Sequence, residues 1–193
     1  MTDPVSPSMI STYLGPGLVY VDNVPVRWLR LDETLSESRL AILNDENERL
    51  LRYVSSLEEY LHESKDGDPL AHEVARLEFK VNIVMEMVSQ VLAQKLNLPV
   101  ASPVEMNAKG LVCHMAETPI CGQQFQISAY LNRQYLKPFE VCASVVGVEP
   151  ADDGTAKVAL EFQGLSEIVQ DHLERLIFRQ HRRMVALLHQ SDR

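Results

Sequence analysis

The sequence predicts an α+β fold in which a long heptad-repeat helical segment precedes a small antiparallel β-barrel. Between residues 34 and 96, apolar side chains recur every three or four positions, a period typical of helices. Farther on, short apolar or alternating segments are separated by turn residues, which is typical of antiparallel strands. We therefore divide the chain into a flexible N-terminus and extended arm (1–33), a helical segment (34–96) and a β-barrel domain with a C-terminal helix (97–193).

The composition is that of an ordinary globular protein. Of the 193 residues, 46% are hydrophobic and 23% are charged, which disfavours disorder and an all-coiled-coil chain. The 27 acidic residues outnumber the 18 basic ones, and a net charge of −9 disfavours binding to nucleic acid. No apolar run approaches the ~20 residues of a membrane span, and the three cysteines cannot all pair with one another. We expect a cytoplasmic bacterial protein without nucleic-acid or membrane partners.

The first 33 residues contain a breaker-rich segment followed by an arm. Residues 1–17 are rich in proline, glycine and serine, so we expect most of them to be mobile. Residues 18–31 are β-branched and aromatic, with a candidate turn at Asp22-Asn23. Pro25 restricts this arm to a sheet edge or a short extended segment. The sequence leaves open whether the arm pairs with its own barrel or with a neighbour's.

Two successive heptad patterns predict two helices. Thr34 and Glu37 form a capping box before the first helix, and Asp68-Pro69 provides an N-cap and a first-turn proline for the second. The seam of the first helix consists of Leu40, Leu43, Asn47, Leu50, Val54, Leu57 and Leu61. The seam of the second helix consists of Leu70, Val74, Leu77, Val81, Val84, Val88 and Val91.

The second helix has a wider apolar arc than a two-stranded coiled coil requires, because Met85, Met87 and Leu92 extend its seam. β-Branched residues at its d positions also favour trimers or tetramers. Packing of both helices on a globular core is the alternative, and Asn47 either fixes the register or is solvated or locally bonded. We predict a homotetramer built on a parallel bundle of the 69–96 helices, with the 34–64 helices packed around it.

Five further segments predict strands, and a final amphipathic segment predicts a helix. The strand at 124–131 alternates apolar and polar residues, whereas 141–148 is almost entirely apolar and is expected to be central. The remaining strands are expected at 104–106, 111–115 and 157–162. Ser166 provides an N-cap for the helix that closes the barrel.

A series of motifs makes the chain resemble a known family. The motifs are Glu105-Met-Asn-Ala-Lys-Gly110, Leu111-Val-Cys, Pro119, Gly122, the 141–148 run, Gly154 and Leu160-Glu-Phe162. From about residue 99 this order resembles the PilZ domain of bacterial cyclic di-GMP receptors. Pro25-Val-Arg-Trp28 and residues 170–183 resemble the narrower group of atypical, tetrameric PilZ proteins. The resemblance implies a six-stranded antiparallel barrel with a C-terminal helix, and assembly through the helical segment.

The chain departs from the nucleotide-binding motifs of that family, which are an Arg-x-x-x-Arg arm and an Asp/Asn-x-Ser-x-x-Gly strand. Arginines suit phosphates and guanine because their planar forks donate two bonds at once. No arginine lies between Arg76 and Arg133, so the arginine arm is missing. In the strand motif, Glu105 replaces the expected Asp/Asn and Asn107 replaces the expected Ser, and only Gly110 matches the motif. We therefore expect a signalling adaptor without the standard cyclic di-GMP site, which acts on an unidentified protein partner.

The C-terminal helix carries an arginine cluster with two interpretations. Arg175, Arg179 and Arg182/Arg183 share one helical face, where they complement the helix dipole and lie near Asp171 and Glu174. The functional interpretation is a docking face for an acidic partner or a nucleotide phosphate. The alternative function is thus a cyclic di-GMP receptor with non-standard arginines, and its candidate ligand residues are Arg175, Arg179, Arg183, Arg27 and Arg30.

The sequence contains no recognisable catalytic or metal-binding motif. It lacks a Gly-x-Ser-x-Gly elbow, a His-Glu-x-x-His pair, a Walker loop and a dinucleotide-binding glycine pattern. Cys113, His114 and Cys121 lack a fourth ligand and match no standard zinc spacing, so we interpret the cysteines as buried or half-buried side chains. We expect a protein that is not an enzyme and needs neither a metal nor a cofactor.

Overall fold

The computed structural model describes residues 9–60, 69–132, 135–151 and 154–191. In chain order its elements are α1 Met9–Tyr13, β1 Tyr20–Val24, β2 Val26–Leu31, α2 Glu37–Tyr60, α3 Pro69–Leu96, β3 Ser102–Asn107, β4 Gly110–Met115, β5 Gln124–Ala129, β6 Phe139–Pro150, β7 Ala156–Gln163 and α4 Glu167–Ser191. None of the helices in these ranges combines the length and the hydropathy needed to cross a bilayer. The α+β class is that predicted from the sequence.

The strands form one curled antiparallel sheet, a half-barrel, in the order β1-β3-β4-β7-β6-β5-β2. In the described residues this sheet has seven strands, which corrects the predicted six. The arm provides two strands because Pro25, whose ring fixes φ and which lacks an N–H, separates β1 from β2. β1 pairs with β3 and β2 pairs with β5, so the arm joins its own barrel and supplies both outer strands.

The core lies inside the half-barrel and is closed by α2 and α4. Alternate strand residues such as Leu111, Ile127 and Leu160 point inward and are fully buried. α2 packs against α4 and β6, and α4 also contacts β1 and β3. Ser166 accepts the Val169 N–H (3.3 Å) at the start of α4, so the predicted N-cap is confirmed.

Two asparagines attach α2 to the barrel by pairing with main-chain groups. The Asn47 amide donates to the carbonyl oxygen of Glu140 (2.7 Å) and accepts the Glu140 N–H (3.0 Å). One turn earlier, Asn44 donates to the carbonyl oxygen of Gly164 (2.8 Å) and accepts the Ser166 N–H (2.9 Å). Asn47 therefore bonds locally, within its own chain.

The heptad seam of α2 faces the interior of its own chain. Leu43, Leu50 and Val54 are buried, the last two in the barrel core, and Leu40 is half-buried beside Gly164. Leu57 lies in α2, and Leu61 lies outside the described residues. α2 begins at Glu37, and Ser36 accepts the Arg39 N–H (3.4 Å), so Ser36 occupies the cap position predicted for Thr34. The hydrophobic side of α2 is thus used within the subunit.

α3 differs from α2 because no described element packs along it to a comparable extent. It begins at Pro69, the predicted first-turn proline, and Leu70 follows in its first turn. It ends where Asn97 adopts a left-handed conformation (φ 44°). The Arg27 guanidinium on β2 donates to the carbonyl oxygens of Leu96 and Asn97, both at 3.2 Å. Arg27 therefore connects the end of α3 to the barrel.

The N-terminal segment is structured from residue 9, in contrast to the predicted mobile stretch. α1 lies on the outer surface of the barrel, where it contacts β3, β4, β6 and β7. Met9, Ile10 and Leu14 are buried there together with Val112 and Ala159. The predicted breakers Gly15, Pro16 and Gly17 end this segment and lead into the arm.

Candidate functional site

The residues that correspond to the degenerate nucleotide motif have structural roles at the β3–β4 turn. The Asn107 side-chain oxygen accepts the N–H groups of Lys109 (2.9 Å) and Gly110 (3.0 Å), which closes the turn. Glu105 accepts a bond from the Lys157 ammonium at 2.7 Å, and both side chains are half-buried. These contacts hold the turn and satisfy the carboxylate within the sheet.

Gly110 lies beneath the N-terminal segment. A Cβ at this position would lie 2.2 Å from the Leu160 carbonyl oxygen and 2.8 Å from a methyl group of Leu14. Only glycine therefore fits, and the Leu14 side chain already occupies the surface above it.

A cavity of about 600 Å³ lies between α4, the β3–β4 turn and the segment that precedes β1. This volume falls within the range that small-molecule sites commonly have. Its lining residues are Gly17, Leu18, Ala108, Asp171, Glu174, Arg175, Ile177, Phe178 and Arg179. Gly17, Leu18 and Ala108 were not predicted from the sequence, because their side chains have no ionisable or hydrogen-bonding group and only the tertiary fold brings them to α4.

Two of the predicted ligand arginines meet at this cavity. Arg175 forms an ion pair with Asp171 (2.8 Å), and Arg179 donates to the Ser55 hydroxyl on α2. Arg183 is half-buried on α4 and is not among the lining residues, whereas Arg182 lies over the Phe178 ring at 5.9 Å. The cavity thus combines an apolar wall with two guanidinium groups and two carboxylates.

The other two predicted arginines lie on β2, away from that group. Arg27 caps α3, as described above, and Arg30 lies 4.0 Å from the exposed Asp32 carboxylate. The five arginines therefore do not form one site: Arg175 and Arg179 line the α4 cavity, and the other three are not among its lining residues.

The cysteines are placed as three separate thiols. Burial raises the pKa of Cys113 to about 12. Burial also raises the pKa of Cys142, an effect that the nearby Arg39 opposes, while Cys121 is exposed. Within the ranges that the structure describes, no three His, Cys, Asp or Glu side chains are grouped as metal ligands would be.

The exposed large apolar side chains in the described part of the chain are concentrated on α3. Ten of its side chains are each between 42% and 66% exposed. They are Val74, Leu77, Phe79, Val81, Ile83, Val84, Met87, Val88, Val91 and Leu92. A narrow stripe at Met85, Ser89 and Ala93 is more shielded. Contiguous apolar surface of this extent is typical of an interaction face.

Comparison with known proteins places the chain in one family. The family model described as atypical PilZ domain, cyclic di-GMP receptor, matches residues 51–190. No curated protein matches the sequence significantly. Among solved structures, a pathogenic protein from Xanthomonas campestris is similar, with 19% identity and a TM-score of 0.70 over 94% of this chain and 98% of that one. It is described as a tetrameric PilZ domain self-assembled via a helical bundle.

Two further structures match over shorter regions. The inhibitor of motility MotI/DgrA from Bacillus subtilis is 16% identical, with a TM-score of 0.37 over 42% of each chain. The PilZ domain of YcgR from Escherichia coli, solved with cyclic di-GMP, is 16% identical, with a TM-score of 0.34 over 43% of this chain and 72% of that one.

The family match covers well over half of the chain, and the resemblance inferred from its motifs is confirmed. The chain belongs to the atypical PilZ domains, a family of cyclic di-GMP signalling receptors.

Proposed function

We propose that this protein is a cytoplasmic signalling adaptor of the PilZ type that assembles through α3 and acts by protein–protein contacts. The observation that carries this proposal is the apolar surface of α3, which no described element of the chain covers to the extent that the barrel covers α2. Fully burying an exposed side chain of this kind contributes about 1.5–3 kcal/mol. The α3 side chains are already about half covered in the subunit, so each contributes roughly half of that, and a row of them still favours association.

The arrangement of the exposed residues supports more than two copies. Val81, Val84 and Val88 mark the predicted seam, while Phe79, Ile83 and Met87 extend the apolar surface to neighbouring faces of α3. A surface this wide is covered by neighbours on more than one side, as in a four-helix bundle. The tetramer described for the similar Xanthomonas protein agrees with this number, and we propose a homotetramer.

The β3–β4 turn supports a function without the standard nucleotide site. Glu105 is paired with Lys157, Asn107 holds the turn and Gly110 is covered by Leu14. A dinucleotide at this surface would have to break these contacts and displace an apolar side chain. We infer that the barrel presents protein-binding surfaces instead, and that it carries out no catalysis.

A charged residue within the α3 seam tests the assembly. Val84→Glu is expected to leave the monomer folded, because Val84 is exposed there, but to dissociate the assembly, because a charge buried between helices costs several kcal/mol. Sedimentation velocity measures the result, and Gln170→Glu, which adds a negative charge at an exposed polar position of α4, outside the proposed interface, is the matched control. An assembly that survives Val84→Glu unchanged contradicts the proposal.

The second candidate function is cyclic di-GMP binding through non-standard arginines, and the α4 cavity favours it. Arg175 and Arg179 line this cavity beside the Phe178 ring, which offers a stacking surface for a base. Asp171 and Glu174 in the same lining oppose an anionic ligand, and Arg175 is already paired. For these reasons we rank it second.

Isothermal titration with cyclic di-GMP separates the two functions. The adaptor proposal predicts no heat of binding. The alternative predicts saturable heat that is lost in Arg175→Gln and Arg179→Gln and kept in Arg30→Gln, because Arg30 lies on β2 outside the cavity.

A further inference from the structure

β4 and β7 turn one face to the barrel core, and their opposite, outer face is also apolar and is covered. Val112 and Ala159 point away from that core, because their sequence neighbours fill it. They are nevertheless only 1% and 0% exposed. What covers them is α1 together with Leu14.

The covering segment forms one short amphipathic turn of helix. Ile10 and Leu14 lie one turn apart, and the Leu14 N–H donates to the Ile10 carbonyl oxygen (2.8 Å). Met9, Ile10 and Leu14 are buried by the contact, while Ser11 and Thr12 between them are exposed. The segment therefore presents an apolar face to the barrel and a polar face to solvent.

Two glycines shape the surface on which this turn rests. A Cβ on Gly147 would lie 2.6 Å from ring carbons of Tyr13, and one on Gly110 would lie 2.8 Å from a methyl group of Leu14. The strands thus form a groove with one recess for an aromatic ring and one for a leucine side chain. We call this surface, formed by Gly110, Val112, Gly147 and Ala159, the glycine groove.

The covering segment is connected in a way that permits its release. Its residues form a hydrophobic cluster separate from the main core. A helix this short is not stable by itself, since isolated helices need roughly 12–15 residues even in favourable sequences. Gly15, with φ 79°, Pro16 and Gly17 follow directly, and a Cβ on Gly17 would have open space around it. Opening the groove therefore leaves the core of the barrel intact.

We propose that the glycine groove is a docking site for a short amphipathic helix, that α1 occupies it in cis, and that a partner helix of the same pattern displaces α1. The pattern is that of the present occupant: two adjacent apolar residues, two polar residues, then an aromatic and an aliphatic residue. The biological role of this docking site rests on the proposed adaptor function, but the groove itself does not depend on assembly through α3.

A peptide added in trans tests the groove in the full-length protein. In Ile10→Glu, the buried charge expels α1, and a fluorescein-labelled peptide of residues 9–15 (MISTYLG) is expected to bind, as measured by anisotropy. Wild-type protein binds this peptide about tenfold or more weakly, because the closed segment reduces the open fraction. Ser11→Glu, which places the same charge on the exposed side of α1, behaves as wild type.

A second variant tests the recess itself. Gly147→Ala places a methyl group where the Tyr13 ring lies, at a backbone conformation that alanine adopts without strain. Chymotrypsin is expected to cleave it after Tyr13 faster than wild type, and Ile10→Glu/Gly147→Ala is expected to lose peptide binding.

Two outcomes overturn the inference. If Ile10→Glu unfolds together with the barrel, α1 belongs to the core and is no removable cover. If it stays folded but binds no peptide, the groove has no docking capacity. In either case, the assembled mass of the wild-type protein still tests the proposal for α3, so the two proposals fail separately.

Discussion

At the scale of single residues, Asn47 shows why a heptad pattern leaves several interpretations open. The pattern predicts a register-fixing residue, a solvated one or a locally bonded one. In the structure Asn47 is buried, and its side-chain NH2 and carbonyl groups both pair with the main chain of Glu140 at the start of β6. A partner 93 residues away cannot be identified from local spacing.

Asn47→Ala is expected to lower the free energy of unfolding by about 2–4 kcal/mol, since it leaves the N–H and carbonyl groups of Glu140 without their partners. Urea unfolding at a fixed protein concentration measures the change. Asp45→Ala removes an exposed ion pair with Arg49 on the same helix and is expected to cost only about 0–1 kcal/mol. Equal effects of the two substitutions would contradict the role assigned to Asn47.

Because the Cys113 thiol is buried, we expect the protein to lose stability at alkaline pH. Its pKa is raised from 9.0 to about 12 by burial, so above pH 9 the unfolded state releases a proton that the folded state keeps. The buried, protonated Cys113 thiol makes its full contribution to the free energy of unfolding below pH 9. This contribution declines between pH 9 and 12, by up to about 1.4 kcal/mol per pH unit.

Substitution of this cysteine checks that expectation. The stability difference between wild type and Cys113→Ala, measured by urea unfolding, is expected to narrow as the pH rises from 9 to 11. Cys121→Ala, which removes an exposed thiol, provides the control. A Cys113→Ala difference that stays constant over this range would show that Cys113 ionises equally in both states.

At the scale of elements, the helices α2 and α3 have similar apolar patterns and different environments. Both helices and their approximate bounds were predictable, because a period of three and four identifies an amphipathic helix. The period does not say what covers the apolar side. For α2 it is the chain's own barrel, whereas the apolar side of α3 is exposed. In the sequence, α3 differs from α2 by its wider apolar arc and its β-branched d positions.

α1 is the element that the sequence did not predict. Prolines and glycines on both sides of residues 9–14 indicate mobility when only local signals are read. The partners that hold the segment, Val112 and Ala159, come from strands about 100 and 150 residues later in the chain, and local signals cannot reveal such contacts.

Arg27→Ala is expected to loosen the C-terminal turn of α3 without affecting the barrel. It removes two bonds to the carbonyl oxygens of Leu96 and Asn97, worth about 1 kcal/mol at an exposed site. Amide hydrogen exchange near residues 93–97 is expected to accelerate about fivefold, the equivalent of that energy. Arg30→Ala on the same strand serves as the control, because its contact is an exposed pair with Asp32. Unchanged exchange in Arg27→Ala would refute the connection.

At the scale of the whole molecule, the order of the strands from β3 to β7 could be predicted, but the way in which the arm completes the sheet could not. Alternation and turn residues located each strand from β3 to β7, and the motif order indicated the family. The seventh strand arises because a single proline divides the arm between the two edges of the sheet. The α4 cavity was only half predictable: Arg175 and Arg179 follow from helical spacing, but the opposite wall depends on how the β3–β4 turn meets α4.

Above all, we propose that the exposed apolar surface of α3 brings several copies of the chain together. Light scattering on the purified wild-type protein at micromolar concentration tests it most directly. We predict a particle of about four times the 21.8 kDa subunit mass, independent of concentration over this range. A mass of 21.8 kDa would contradict the claim, because α3 would then remain uncovered in water.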